Sequence, residues 1–189
     1  MFHEGAFILL RQRIIEILSA PFEIKEMLFI LLPLLVILIV IELYFGKYRY
    51  EKMGWNTAVG NSLVLFFVGM NLLNFLYGQG LFLQEQPKTT LAFIVVVESL
   101  FLLFINFFHI FPQEITFGIS SPLILNFFGA ASIIMVYSSV PFDYFTLAAF
   151  LVIFIGLFLL IRFLQSMEIP AIPKVKIEGE AVPAPEESA

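Results

Sequence analysis

Long apolar stretches dominate the chain, and short polar or Pro- and Gly-containing segments separate them. The five longest stretches cover approximately residues 28–45, 57–77, 91–111, 119–140 and 142–164. Stretches of this length predict transmembrane helices, because a helix needs about 17–25 apolar residues to cross a bilayer. We therefore predict an all-α fold, a polytopic membrane helix bundle of about five transmembrane helices within residues 28–166.

The first 27 residues follow a different pattern. Apolar side chains between residues 5 and 19 lie mostly on one side of a helix, with Gln12, Arg13 and Glu16 on the other. A segment of about 15 residues is too short to span the hydrocarbon core. We predict an interfacial amphipathic helix that ends at Pro21, followed by a polar link, within residues 1–27.

Two segments in the carboxyl-terminal half of the chain have compositions that lead to further structural predictions. Residues 167–189 are rich in Pro, Glu and Ala, and such a tail buries too little surface to fold alone, so we expect it to be disordered. The Gly and Ser residues of the fourth stretch, 119–140, leave two alternatives open, a full span and a re-entrant segment.

Composition supports a membrane protein and excludes several classes of function. The chain is 60% apolar and 13% charged, against about half and a quarter in soluble domains. Cysteine is absent, the net charge is −5 and there are two His residues. These totals argue against thiolate or multi-histidine metal sites and against nucleic-acid binding. No catalytic motif is present, so we expect no enzyme activity, cofactor or metal.

The basic residues predict an orientation. With five spans the two termini lie on opposite sides, here named side A for the amino terminus and side B for the carboxyl terminus. Side A carries four of the ten basic residues and side B carries six. The positive-inside rule then places the amino terminus outside and the carboxyl terminus in the cytoplasm.

Polar residues within the predicted spans fall into two layers by depth. The layer near side B contains Glu42, Asn61, Asn106, His109 and Asn126. The layer nearer side A contains Asn71, Asn74, Glu98, Ser99 and Ser132. These side chains are the candidate functional residues.

Glu98 is the deepest acid, and an ionised carboxylate at that depth costs about 3 kcal/mol. Because no Lys or Arg lies at the same depth, we expect Glu98 to be mostly protonated at neutral pH. A hydrogen bond to a carboxamide such as Asn71 would then satisfy it.

Two interpretations of these residues stay open. In the first, the acid and the carboxamides fasten helices together. In the second, Glu98 is a proton or cation site, and His109, eleven residues later on the same predicted helix face, is a second station. Glu42 with His109 provides too few ligands for a metal site.

Small residues recur along the second span. Gly54, Ala58 and Ser62 are spaced by four, and Gly69 extends nearly the same face. Such a face allows close approach of helix backbones, so we expect this helix to lie centrally in the bundle.

The function predicted from these features is that of a non-catalytic structural, assembly or scaffold component of a membrane. Its expected partners are the lipid bilayer and either other membrane proteins or a second copy of itself in a homo-oligomer. The alternative is a small proton- or cation-linked transporter or channel that uses Glu98. The scarcity of charged residues in the spans favours the first.

Overall fold

A computed structural model describes residues 2–48, 51 and 53–167, with side chains from residue 5 onward. The regular structure of these residues is helical throughout. The helices are α1 (Phe2–Glu23), α2 (Lys25–Lys47), α3 (Trp55–Gly78), α4 (Gln86–Phe108), α5 (Gln113–Ile119), α6 (Pro122–Tyr137) and α7 (Tyr144–Met167). The predicted tail falls almost entirely outside the described residues.

The predicted membrane helix bundle is confirmed. Among the described residues, five helical segments are long and apolar enough to cross a membrane, namely α2, α3, α4, α5 with α6, and α7. The chain is therefore a multi-pass integral membrane protein.

The fourth span is an interrupted helix. The seven residues of α5 end at Ile119, and the chain leaves helical geometry at Ser120 and Ser121 before α6 begins. Ser121 caps α6 by accepting a hydrogen bond from the Ile124 N–H, and Pro122 occupies the first turn, where its missing N–H costs nothing. The 16 residues of α6 rise only about 24 Å, less than the hydrocarbon thickness of about 30 Å.

The close contact between α3 and α4 depends on a glycine. A Cβ built on Gly69 would lie 2.6 Å from Val96 Cγ2 and 3.0 Å from the Val96 backbone N. Absence of a side chain thus lets α3 and α4 form the most extensive helix pair of the described bundle. α3 packs on α4, α5 and α6, whereas α6 also contacts α1, α2 and α7. The central position predicted for α3 is therefore wrong, because α6 occupies it.

Burial is uneven across the spans. In the α5–α6 segment 56% of the most apolar stretch is buried, against 17% in α2 and 11% in α7. The short helix α6 is packed against α2, α3 and α4. The α2 and α7 helices consequently present most of their side chains to the surroundings.

The amino-terminal helix α1 is longer than the segment 5–19 predicted for it, and the predicted end at Pro21 is wrong, because the helix continues through Pro21 to Glu23. It packs mainly on α7. Ile17 and Ala20 on α1 are buried and belong to the main apolar core. Arg13 Nη2 lies 3.0 Å from the Oδ2 of Asp143, just before α7, and Arg13 also pairs with Glu16 on its own helix. An ion pair therefore ties the first helix to the beginning of the last.

Candidate functional site

A cluster of buried polar side chains joins α3, α4 and the break between α5 and α6. The Nδ2 of Asn106 donates hydrogen bonds to the hydroxyl oxygens of Ser62 (2.8 Å) and Ser120 (3.0 Å). The same Nδ2 lies 3.2 Å from the carbonyl oxygen of Ala58. Asn61 Nδ2 donates to the backbone carbonyl of Ser120 over 2.9 Å. Asn106, Ser62 and Ser120 are completely buried, and Asn61 nearly so.

This cluster supplies hydrogen-bond partners where the fourth span is interrupted. A helix break frees backbone groups, and at membrane depth these are tolerated only where protein groups satisfy them. Asn61 binds the carbonyl of Ser120, and Asn106 binds its hydroxyl in both directions, since that hydroxyl donates to Asn106 Oδ1 over 3.3 Å. The chemical effect of this cluster is to stabilise the interrupted helix of the fourth span by hydrogen bonding.

The sequence prediction identified part of this cluster. It placed Asn61 and Asn106 in one layer near side B, and the structure brings both onto Ser120. Ser120 itself was missed because it lies at the edge of the predicted span. The run Ser-Ser-Pro at residues 120–122 is typical of a helix start, and it is the signal that could have located the break.

Glu42, from the same predicted layer, contacts other helices instead. Gln165 Nε2 donates to the Glu42 carboxylate (3.1 Å) and to its backbone carbonyl (3.0 Å). The backbone N–H of Leu123, in the first turn of α6, also binds the carboxylate, and Arg162 attracts it electrostatically. A carboxylate is favourable at a helix amino terminus. Glu42 thus links α2, α6 and α7, and none of these contacts involves His109.

His109 lies beyond the end of α4. Its backbone has a left-handed conformation (φ 53°), and its N–H donates to the carbonyl of Ile105. The imidazole stacks on the indole of Trp55, with ring centroids 3.9 Å apart. Because α4 ends before His109, the prediction that His109 shares a helix face with Glu98 is wrong.

Asn126 bonds within its own helix. Its Nδ2 donates to the carbonyl of Pro122 over 2.8 Å, one turn earlier in α6. Its Oδ1 is buried and has no hydrogen-bond partner among the described residues. The predicted layer near side B is thus divided among separate contacts.

The predicted layer nearer side A is not brought together. Asn71 Oδ1 accepts a hydrogen bond from the Tyr137 hydroxyl over 2.9 Å, whereas Asn74 is exposed. Ser99 and Ser132 donate to carbonyl oxygens one turn earlier in their own helices. The picture of two facing polar layers therefore holds only for Asn61 and Asn106.

Glu98 lies on an outward side of α4. Its neighbours on this side, Val97 and Phe101, are 64% and 58% exposed. Glu98 forms no hydrogen bond or ion pair with another residue of the described ranges, so the predicted bond to Asn71 is wrong. The physical reason is rotation, because the buried face of α4 contains Ser99, which lies about 100° around the helix from Glu98.

A shallow hollow of about 440 Å³ borders Glu98 on this outer face. The other lining residues are Thr90, Phe93, Ile94, Val97 and Phe101. The carboxyl group and the Thr90 hydroxyl are thus surrounded by aliphatic and aromatic side chains. An intramembrane acid in such surroundings is energetically expensive, which makes it the strongest candidate for a functional residue.

A second, larger groove of about 730 Å³ separates α7 from α4 and α6. Its walls include Leu91, Phe128, Phe150 and Phe154, and Asp143 lies at one end. Hydrocarbon fits such walls, so lipid chains can occupy this groove.

Acidic and imidazole groups are dispersed in the described part of the chain. No three His, Asp or Glu side chains there lie close enough together to hold a metal ion. Glu98 is the acid on the outer face of α4.

Comparison of the chain with protein-family models, with curated proteins and with solved structures gives no match in any of the three.

Proposed function

We propose that this protein is a non-catalytic structural or assembly component of a membrane, which associates with membrane proteins through the outer face of α4. The observation that carries the proposal is Glu98, an acid at membrane depth on an exposed apolar face. In lipid alone this group lacks a hydrogen-bond partner, and an unsatisfied polar group in hydrocarbon is unfavourable even when it is protonated. A protein partner that covers the hollow would lower that cost.

The contacts of the other polar groups favour assembly over transport. The carboxamides of Asn61, Asn71 and Asn106 bond to neighbouring helices or to the break before α6. Around Glu98, Thr90 is the one other polar residue that lines the hollow. A proton- or cation-linked transporter would need a continuous series of polar groups leading from Glu98 to both sides of the membrane.

Photo-crosslinking in native membranes tests the proposal. A photoreactive amino acid at Val97, which is 64% exposed on α4, is compared with one at Ile155, which is 49% exposed about half-way along α7. We expect discrete protein adducts from Val97 and mainly lipid adducts from Ile155. Lipid adducts alone at Val97 would contradict the proposal.

Flux measurements separate the alternative function. Wild-type protein and Glu98→Gln are reconstituted in proteoliposomes under a proton gradient. We expect no protein-dependent proton flux from either. Wild-type flux that the substitution abolishes would favour the transporter.

The orientation is part of the same proposal. We infer that side B faces the cytoplasm, because six of the ten basic residues lie on that side. The amino terminus and the loop between α3 and α4 then lie outside.

A further inference from the structure

The outer face of α4 combines an unsatisfied hydrogen-bonding group with exposed apolar side chains. Ile94, Val97 and Phe101 are 50%, 64% and 58% exposed, and together with Glu98 they follow the spacing i, i+3, i+4, i+7 of one helix face. The occupant of this face must therefore present an apolar surface and, at the depth of Glu98, a hydrogen-bonding group.

We propose that the occupant is a second copy of this chain, which docks α4 against α4 about a two-fold axis along the membrane normal and pairs the two Glu98 carboxyl groups. This inference rests on the proposed function and names its partner. A two-fold contact is self-complementary, since the same patch serves both subunits. Because two copies of the chain span the membrane in the same orientation, their Glu98 side chains also lie at the same depth.

The chemistry of the carboxyl group suits such a pair. A protonated carboxyl group is both a donor and an acceptor, so each Glu98 can satisfy the other. The hydrogen bond forms where the alternative is hydrocarbon, which lacks any partner. In the two-fold dimer, each Glu98 thus gains the hydrogen-bond partner that it lacks among the described residues of its own chain.

The arrangement of residues along α4 suits a helix crossing at this point. Thr90, Ile94 and Glu98 are spaced by four and all border the hollow. Rows of this spacing on two helices pack along one another in right-handed crossings of about −40°, which are common between transmembrane helices. Such a crossing near Glu98 brings the two carboxyl groups together and aligns the exposed apolar residues beside them.

The absence of cysteine from the chain allows single-cysteine crosslinking without background. Ile94→Cys reports on the proposed contact. Leu100→Cys is the matched control, because Leu100 is 46% exposed and lies two residues from Glu98, about 200° around the helix. In native membranes we expect disulfide-linked dimers from Ile94→Cys and not from Leu100→Cys.

Substitutions of Glu98 then test the carboxyl pair. Glu98→Gln keeps a group that donates and accepts, whereas Glu98→Leu keeps an apolar surface alone. Measured by fluorescence energy transfer in liposomes, we expect dimerisation by the Leu variant to be roughly tenfold weaker than wild type, with Gln close to wild type. Equal dimerisation by all three proteins would overturn the role of the pair.

The outcomes also separate this inference from the proposed function. Adducts from α4 to a different polypeptide, with no self-crosslink at Ile94→Cys, would overturn the second copy and leave the assembly function standing. Lipid adducts alone would overturn both.

Discussion

Asn106 shows how one carboxamide can connect three parts of a membrane bundle. Its Nδ2 reaches α3 through Ser62 and the interrupted fourth span through Ser120, and the side chain is completely buried. Hydrogen bonds between transmembrane helices contribute about 1 kcal/mol each. Their loss inside the bundle costs more when a partner stays buried and unsatisfied.

We therefore expect Asn106→Leu to lower the free energy of unfolding by about 1–3 kcal/mol. Unfolding in mixed micelles of increasing denaturing detergent measures the change. Asn74→Leu is the control, because Asn74 is exposed on α3 and its replacement should change stability by less than about 0.5 kcal/mol. Equal effects of the two substitutions would show that the buried cluster contributes no special stability.

The contrast between Asn106 and Glu98 shows what the sequence could predict at this scale. Depth follows from counting residues along a span, so the common depth of Asn61 and Asn106 was predictable. Rotation about the helix axis was not, because α4 is apolar on nearly all sides and its polar residues do not mark one face. Ser99 and Asn106, seven residues apart, share the buried face, and Glu98 lies about 100° from Ser99.

At the scale of helices, the contact between α3 and α4 depends on the space left by Gly69. We expect Gly69→Ala to destabilise the protein by about 1–3 kcal/mol, because the added methyl group overlaps Val96 side-chain and backbone atoms. Thermal unfolding in detergent provides the measurement. For Gly156→Ala on α7, nothing beyond the adjoining turns of its own helix backbone lies within 4 Å of the new Cβ, so a comparable loss there would refute the steric explanation.

The docking of α1 on α7 should depend on pH. The Thr146 N–H that binds the carboxylate of Asp143 (2.7 Å), together with Arg13, lowers the pKa of Asp143. A carboxyl group with a lowered pKa in the folded state stabilises the fold above its ordinary pKa of 3.8. This contribution is lost as the pH falls through the lowered value.

Hydrogen exchange tests this dependence. After correction for intrinsic rates, α1 amides should exchange faster at pH 3 than at pH 7. In Asp143→Asn the exchange should already be faster at pH 7, with a smaller difference between the two pH values. Glu16 is the other acid that contacts Arg13. The same exchange measurement on Glu16→Gln therefore serves as the matched comparison, because it separates the contribution of Glu16 from that of Asp143. Equal protection of wild-type α1 at both pH values would contradict the prediction.

The helices themselves were largely predictable, and the Ser-Ser-Pro run could have located the break before α6, whereas the contacts that satisfy the break and join the helices were not predictable. Apolar length alone indicates the five spans, because a chain in lipid must satisfy its backbone internally. The break at Ser120 depends on Asn61, which lies 59 positions earlier in the chain. The ion pair between Arg13 and Asp143 joins residues 130 positions apart. No local pattern contains such contacts.

At the scale of the whole molecule, the proposed orientation makes a prediction for labelling. Gln84, between α3 and α4, and Gln113, at the start of α5, are both exposed and lie at opposite ends of α4. With a membrane-impermeant maleimide, Gln84→Cys should be labelled on intact cells and Gln113→Cys only after permeabilisation. The reverse result would invert the orientation, and labelling of both on intact cells would contradict the crossing of α4.

The interrupted fourth span also has a consequence for biosynthesis. Asn61 and Asn106 precede Ser120 in the chain, so a ribosome delivers both side chains to the membrane before the backbone that they satisfy emerges. Asn61 and Asn106 are therefore already in the membrane when the break between α5 and α6 is inserted, and they can bind Ser120 at once.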